Sequence, residues 1–464
     1  MMKMISSTIL PKKLQSLLAF FFVALFMSIQ LNGQTEFKTK WAFGAAATQL
    51  NFNALTVGAV NYTWSTAPSG KNGTGSFTMN TAGAVTLTGL NIAAGDSLTL
   101  SMTPTNLRRF YISQGVDRSK LVDVTRWGTV AWTSMQNAFS GCNNLKISAS
   151  DAPNLSGVSD MSSMFLGATN FNSNIGGWNT ATVTNMSNLF KDCTYFNQNI
   201  GGWNTAAVTM MTSMFQGAFF FNQNIGGWNT AKVTEMSLMF NNAGVFNQNI
   251  GSWNTANVKG MFSMFSLAGS FDQNIGNWNT SKVTVMGNMF FQASAFNQNI
   301  GKWILPATVD LTNMLSSSGM DCDHYTATLV GWAKNNPTVT NRMLGASDLQ
   351  YGSSAVAARN TLVNTLKWTI SGDSPGVGKC DVLLSSPELL FKFDLTVYPN
   401  PTTGWVSVKD LDRATFSITD LSGKVLSKGD TQDGRIDFGH LENGVYLLKI
   451  QTDEYTSTQK IWKQ

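Results

Sequence analysis

Along the middle of this chain, apolar and polar positions recur with a period that no single helix or strand possesses. Trp178, Trp203, Trp228, Trp253, Trp278 and Trp303 stand 25 residues apart, and so do Asn174, Asn199, Asn224, Asn249, Asn274 and Asn299, each followed by Ile. Met186, Met211, Met236, Met261 and Met286 keep the same step, as do Phe190, Phe215, Phe240, Phe265 and Phe290. The unit reads Phe-Asn-Gln-Asn-Ile-Gly-Gly-Trp-Asn-Thr, then a short variable stretch, then Val-Thr-x-Met-x-x-Met-Phe. Side chains that recur at one phase lie above one another when units stack, so each unit is expected to close the core of the one before it. Met at i with Met and Phe at i+3 and i+4 has the spacing of one helical face. Asn-Ile-Gly-x-Trp is too short for a helix and reads as a brief strand and a bend.

A strand and a helical turn in every 25 residues predict an α/β repeat solenoid of the leucine-rich-repeat-like kind, whose units run about 20–29 residues. Weaker copies flank the regular ones. Trp127 precedes Met135 by the offset that separates Trp178 from Met186, and Leu311, Met314 and Leu315 continue the Met-Met-Phe slots. About eight turns over residues 120–315 follow. The constant Trp column, with Trp127 at its head, and the constant Asn column read as structural ladders, the Asn amides bonding along the stack.

Outside the repeat the pattern changes. Residues 36–115 alternate in short runs such as Val85–Thr88 and Ser97–Ser101, which predicts a small β-rich N-terminal cap domain. Residues 316–373 place Tyr325, Leu329 and Trp332 on one helical face and predict a helical C-terminal cap. A linker is expected over 374–393. Beyond it, Trp405–Val408, Ala414–Thr419, Val445–Ile450 and Thr458–Trp462 read as short strands, with a hairpin signal at Asn443-Gly444. They predict a C-terminal immunoglobulin-like β-sandwich over 394–464.

Composition adds the setting. Charged residues make up only 12%, against a usual share near 25%. In residues 1–33, Lys12 and Lys13 precede the apolar stretch Leu17–Leu31, which reads as a signal peptide and implies export, with a signal-anchor helix as the alternative. Its three lysines account for part of the formal charge of +5, so +2 remains without them. No basic run remains to track phosphates, which argues against a nucleic-acid partner, and no second apolar stretch predicts a membrane span in the mature protein.

Candidate chemistry is sparse. The two histidines, His324 and His440, fall in different predicted domains, so no Ser-His-Asp arrangement is expected. Asp321-Cys322-Asp323-His324 reads as a turn before a helix rather than a metal set. Asp160 and Glu235 share a phase but stand three units apart, about 14 Å at strand spacing, too far for a glycosidase pair. Cys142 and Cys193 sit where other units have Ala and read as buried, whereas Cys322 and Cys380 are the candidate disulfide of an exported chain. No catalytic residue, metal or cofactor is implied, and the chain reads as a non-enzyme. The Thr180, Thr205, Thr230, Thr255 and Thr280 column raises the idea of a flat ice-binding face. A ligand is better placed at phases that vary between units. Thr182, Ala207, Lys232, Asn257 and Lys282 form one, and Asn185, Met210, Glu235, Gly260 and Val285 another. Thr182, Lys232, Glu235, Asn257 and Lys282 are therefore the candidate ligand-binding residues.

Two resemblances extend this reading. The unit, together with Asp123-Val-Thr-Arg-Trp127-Gly and Leu329-Val-Gly-Trp332-Ala, resembles the BspA-type leucine-rich-repeat surface proteins over about residues 105–373. That resemblance implies adhesion to an extracellular protein or glycan through the repeat surface, with a self-associating matrix or surface-layer component as the alternative. The tail is similar to the type A sorting domain of type IX secretion. Val397-Tyr398-Pro399-Asn400-Pro401 with Gly404, Asp420-Leu421-Ser422-Gly423-Lys424, and Gly444-Val445-Tyr446 with Lys460 carry that similarity. It implies recognition by the type IX machinery and a location outside a Gram-negative cell or on its outer surface. An adhesive sandwich is the other reading of the same strands.

Overall fold

A computed structural model describes residues 35–376, 397–408, 414–421, 423–431, 433–451 and 456–464. The signal peptide expected at 1–33, most of the 374–393 linker, and Cys380 lie outside the described residues. The chain divides into two compact units, residues 1–349 with 359–374, and residues 350–358 with 375–464.

The first unit begins with strands β1 (Phe37–Ala42), β2 (Leu50–Thr56), β3 (Val60–Ala67), β4 (Asn72–Phe77), β5 (Gly83–Leu87), β6 (Ser97–Met102), β7 (Leu107–Tyr111), β8 (Leu121–Arg126) and β9 (Lys146–Ile147). They form a six-stranded sheet, β4-β3-β6-β1-β8-β9, and a three-stranded sheet, β5-β2-β7. Strict alternation puts Val60, Tyr62 and Trp64 of β3 and Leu50, Phe52 and Ala54 of β2 into the interior. These sheets reach past residue 115 into the repeats, because β9 belongs to the first repeat copy and pairs in parallel with β8. Asp123 fixes that junction by accepting the Ser148 N–H at 3.0 Å and its hydroxyl at 2.9 Å. The aromatic core is shared as well, Phe37 meeting Phe110, Phe110 meeting Phe139, and Phe139 stacking on Phe165.

The α/β leucine-rich-repeat-like solenoid does not form. The described chain is mostly β, in several small and separate sheets, and the repeats after β9 contain neither helix nor strand. Each regular unit contributes one parallel bridge, in the column Asp160, Asn185, Met210, Glu235, Gly260, Val285, Asp310. Hydrogen bonding explains the missing helix. In the segment from Met186, the amides of Met186, Asn188, Phe190 and Asp192 donate to the carbonyls of Met210, Thr212, Met214 and Gln216 in the next unit. The intervening amides of Leu189, Lys191 and Cys193 bond three residues back, to Met186, Asn188 and Phe190. A helix would send every amide four residues back. Here every second one is used between units, and the rest close overlapping turns. Left-handed residues four apart, such as Asn188 with Asp192 and Leu238 with Asn242, interrupt any helical run.

At the end of the repeats, helix α1 (Cys322–Asn335) is capped by Asp321, whose carboxylate accepts the His324 N–H. Its Trp332 indole donates to the Ile300 carbonyl at 3.0 Å, so α1 occupies the place of a further unit. Gly331 makes this possible, because a Cβ there would overlap the Gly301 backbone. Asp373, buried nearby, receives two bonds from Arg359 and one from the Tyr325 hydroxyl.

In the second unit, Val397–Tyr398, Trp405–Val408 and Arg435–Asp437 form one antiparallel sheet, and Val425–Asp430, Thr415–Thr419, Gly444–Gln451 and Thr456–Lys463 form another. Val406, Val408, Ile418, Ile436, Phe438, Leu448, Ile450 and Ile461 make their common core. Asn443-Gly444 does not turn a hairpin. The chain there passes from the first sheet to the second.

Candidate functional site

The constant columns are consumed by bonds between and within units. Indole N–H groups of Trp203, Trp228, Trp253, Trp278 and Trp303 each donate to the Ile carbonyl of the preceding unit at 3.1–3.2 Å. Trp228, Trp253 and Trp278 lie parallel at 6.4–6.5 Å. Trp127, by contrast, meets Trp178 edge-on. Phe190, Phe215, Phe240, Phe265 and Phe290 stack at 5.6–5.7 Å, beside a second file running from Phe171 to Phe296.

The Asn174, Asn199, Asn224, Asn249, Asn274 and Asn299 column does not bond along the stack. Each Oδ1 accepts the N–H two residues on, within its own unit, at 2.8–3.1 Å. Bonds along the stack belong to the Asn two residues earlier. Asn172 accepts from the Asn197 N–H and Gln198 Nε2, Asn197 from Asn222 and Gln223, and Asn222 from Asn247 and Gln248. Recurring Asn and Gln at those phases, broken only by Asp272 and Ser173, are visible in the sequence, but recurrence alone does not distinguish a bond within a unit from one between units. The first Gly of each Gly-Gly or Gly-x pair has an equally strict reason. A Cβ on Gly176, Gly201, Gly226, Gly251 or Gly276 would overlap the Asn carbonyl of the following unit.

The threonine column is unavailable to ice. Thr180, Thr205, Thr230, Thr255 and Thr280 are buried, and each hydroxyl donates to a carbonyl of the next unit. Cys142 and Cys193 are free and buried. Burial pushes both thiols well above their ordinary range, and the Cys193 Sγ donates to the Phe165 carbonyl. Cys322 is disulfide-bonded.

The candidate ligand residues are exposed or half-buried at the surface, with different degrees of engagement. Thr182 donates to the carbonyls of Leu155 and Val158, and Glu235 caps the Ser237 N–H. Asn257 bonds the Ala231 carbonyl and accepts from Lys282 Nζ at 2.8 Å, and Lys232 is exposed. The backbone of the Glu235 column is not free, because it carries the parallel bridges. Sequence reasoning overlooked three exposed aromatics, Tyr195, Phe219 and Phe220. Their signal was available: Phe219-Phe220-Phe221 is the one unit with three rings where the others have one or two.

At 321–324 the side chains form a helix cap, the Asp321 carboxylate meeting both the N–H and the Nδ1 of His324. Among the described residues no group of three or more His, Cys, Asp or Glu is placed to hold a metal, and no helix is long and apolar enough to cross a membrane.

In the second unit, Asn400 ties its loop to the last strand. Its Nδ2 donates to the Lys460 carbonyl at 2.7 Å, and its Oδ1 accepts the Trp462 N–H at 2.9 Å. Pro399 and Pro401 flank it at the surface. The Gly404 carbonyl accepts the Phe438 N–H, and the buried Tyr446 donates its hydroxyl to the Glu442 carbonyl, just before Gly444 opens its strand.

Residues 133–244 and 220–332 match a family described as Mycoplasma protein of unknown function, DUF285. Residues 396–464 match the secretion system C-terminal sorting domain. None of the curated proteins matches the chain. The repeats are thus similar to those of a family described as of unknown function, and their likeness to BspA-type leucine-rich repeats stays a resemblance of motif. The C-terminal match indicates a chain secreted by the type IX route or held at the outer surface of a Gram-negative cell, this domain meeting the secretion machinery.

Proposed function

We propose that the repeat region is a non-catalytic binding surface, displayed outside the cell for adhesion to an extracellular protein or glycan. One observation carries this reading. The residues that recur unchanged are buried or bonded to the backbone of their own or a neighbouring unit, so the variation between units falls on outward phases such as those of Lys232 and Lys282. A surface that varies on a constant frame is suited to recognition. The reading of the chain as a self-associating matrix component is less well supported, since the β-sheets and α1 cover the two ends of the repeat core against end-to-end growth. Purified chain exposed to arrays of matrix proteins and glycans should bind at least one of them as a monomer. Binding to none, together with concentration-dependent assembly in sedimentation, would replace adhesion by the matrix reading. The sorting role is tested separately. A chain lacking residues 394–464 should accumulate folded in the periplasm, and its normal arrival at the surface or in the medium would contradict that role.

A further inference from the structure

Resting on that reading and sharpening it, we propose that Tyr195, Phe219 and Phe220 form a binding site for a neutral polysaccharide. Their phases are otherwise filled by small or polar residues. Asn170, Val245, Ser270 and Ala295 correspond to Tyr195 and Phe220, while Thr169, Thr194, Gly244, Gly269 and Ser294 correspond to Phe219. Tyr195, Phe219 and Phe220 are 52%, 40% and 43% exposed. Leaving rings in water forgoes the free energy that the neighbouring Phe196 and Phe221 gain by burial, and a cluster of such rings marks a surface that meets something.

The cluster is ordered. Tyr195 and Phe220 stack at 5.4 Å and 13°, and Phe219 stands edge-on to Phe220 at 5.1 Å and 80°. Phe219 is seated over Gly244, where any Cβ would overlap its ring. Two residues along the chain from Tyr195 and Phe220, past the buried Phe196 and Phe221, lie the half-buried Asn197 and Asn222. Each of these amides accepts two hydrogen bonds on Oδ1 from the next unit. That fixes the amide plane and leaves Nδ2 as an oriented donor.

Rings that can pack on the C–H faces of a sugar, beside planar amides held ready for hydroxyl groups, are the elements of a carbohydrate site. The spacing runs along the stack from one unit to the next, as an extended chain of sugars requires. The nearest charged residues in sequence, Lys191 and Asp192, offset each other, so nothing here favours an acidic glycan.

The test is affinity electrophoresis of the full mature chain through gels containing xylan, galactomannan or mixed-linkage β-glucan, with polygalacturonate as the charged control. It is run against the variant Tyr195→Asn, Phe219→Thr, Phe220→Ser, whose new residues are those of Asn170, Thr194 and Ser270 at the same phases. At least one neutral polysaccharide should retard the native chain, and the variant should bind it about tenfold or more weakly. The melting temperature of the variant should stay within about 2 °C, as for surface changes. The site is overturned if no neutral polysaccharide retards the native chain, or if the variant is retarded equally. A native chain that binds an immobilised protein, undiminished in the variant, would preserve adhesion while removing the glycan site.

Discussion

The repeats and the C-terminal domain both bury aromatic and aliphatic side chains, but their residues answer to different neighbours. In the repeats the constant rings meet their own counterparts 25 residues away, and each constant indole meets the Ile carbonyl of the preceding unit. In the C-terminal domain nothing recurs, and Ile418, Leu448 and Ile461 are each set by different partners across a sheet. The contrast shows where each region can vary. The sheet domain can change at alternate outward positions of every strand. The repeats change at surface phases where no one side chain is required by the stacking, as at Lys232 and Val285, so their variation is concentrated in a few files.

The largest effect should come from breaking one ladder in each region. Trp228→Ala leaves a cavity and removes one of the two hydrogen bonds to the Ile200 carbonyl, and should cost about 3–5 kcal/mol. Leu448→Ala should cost about 2–5 kcal/mol in the other region. Denaturant unfolding followed by region-specific probes should show each change moving only its own transition, and equal movement of both would break the comparison. Next comes Gly226→Ala, a single added methyl aimed at the Asn249 carbonyl. It should destabilise by about 1–3 kcal/mol, as overpacking does, although helix propensity alone would make Ala the better residue. A gain in stability there would count against the stacking.

Leu267 sharpens the same point from the opposite direction. It is an exposed leucine at φ 62, while Asn242 occupies the equivalent position at φ 57. Leu267→Asn should stabilise by up to about 1 kcal/mol, because the left-handed backbone disfavours leucine. Calorimetry showing a loss of that size would contradict the assigned turn. The smallest effect belongs to the outward files. Lys232→Glu with Lys282→Glu should change stability by no more than about 0.5 kcal/mol each while altering binding of a captured ligand.

How much could be read beforehand also differs between the two regions. The 25-residue step, the buried Met, Phe and Ile files and the Trp column were legible, because recurrence at one phase has few other causes. The local conformation was not. Met186, Leu189 and Phe190 have helical spacing, yet overlapping turns two residues apart bring the same positions inward, and only the destination of alternate amides separates the two. The stacking Asn172 file, interrupted by Asp272, was hidden beside the constant Asn174 file. Trp332 fits the spacing of a helical face, but its place in the Trp column is hidden because it follows Trp303 by 29 residues rather than 25. In the C-terminal domain, alternation marked most strands, whereas Asn443-Gly444 misled because a turn signal does not say which sheet the chain enters next. At the candidate site, the outward lysines were visible as variation. Tyr195, Phe219 and Phe220 were masked by the buried phenylalanines that follow them.

The central claim is that the repeats are held by bonds from unit to unit and not by a helix inside each unit. Far-ultraviolet circular dichroism of the mature chain tests it most directly. The spectrum should be dominated by sheet and turn, with a helical contribution no greater than α1 and the short turns after it supply. Helical minima strong enough to require a helical turn in every repeat would contradict it.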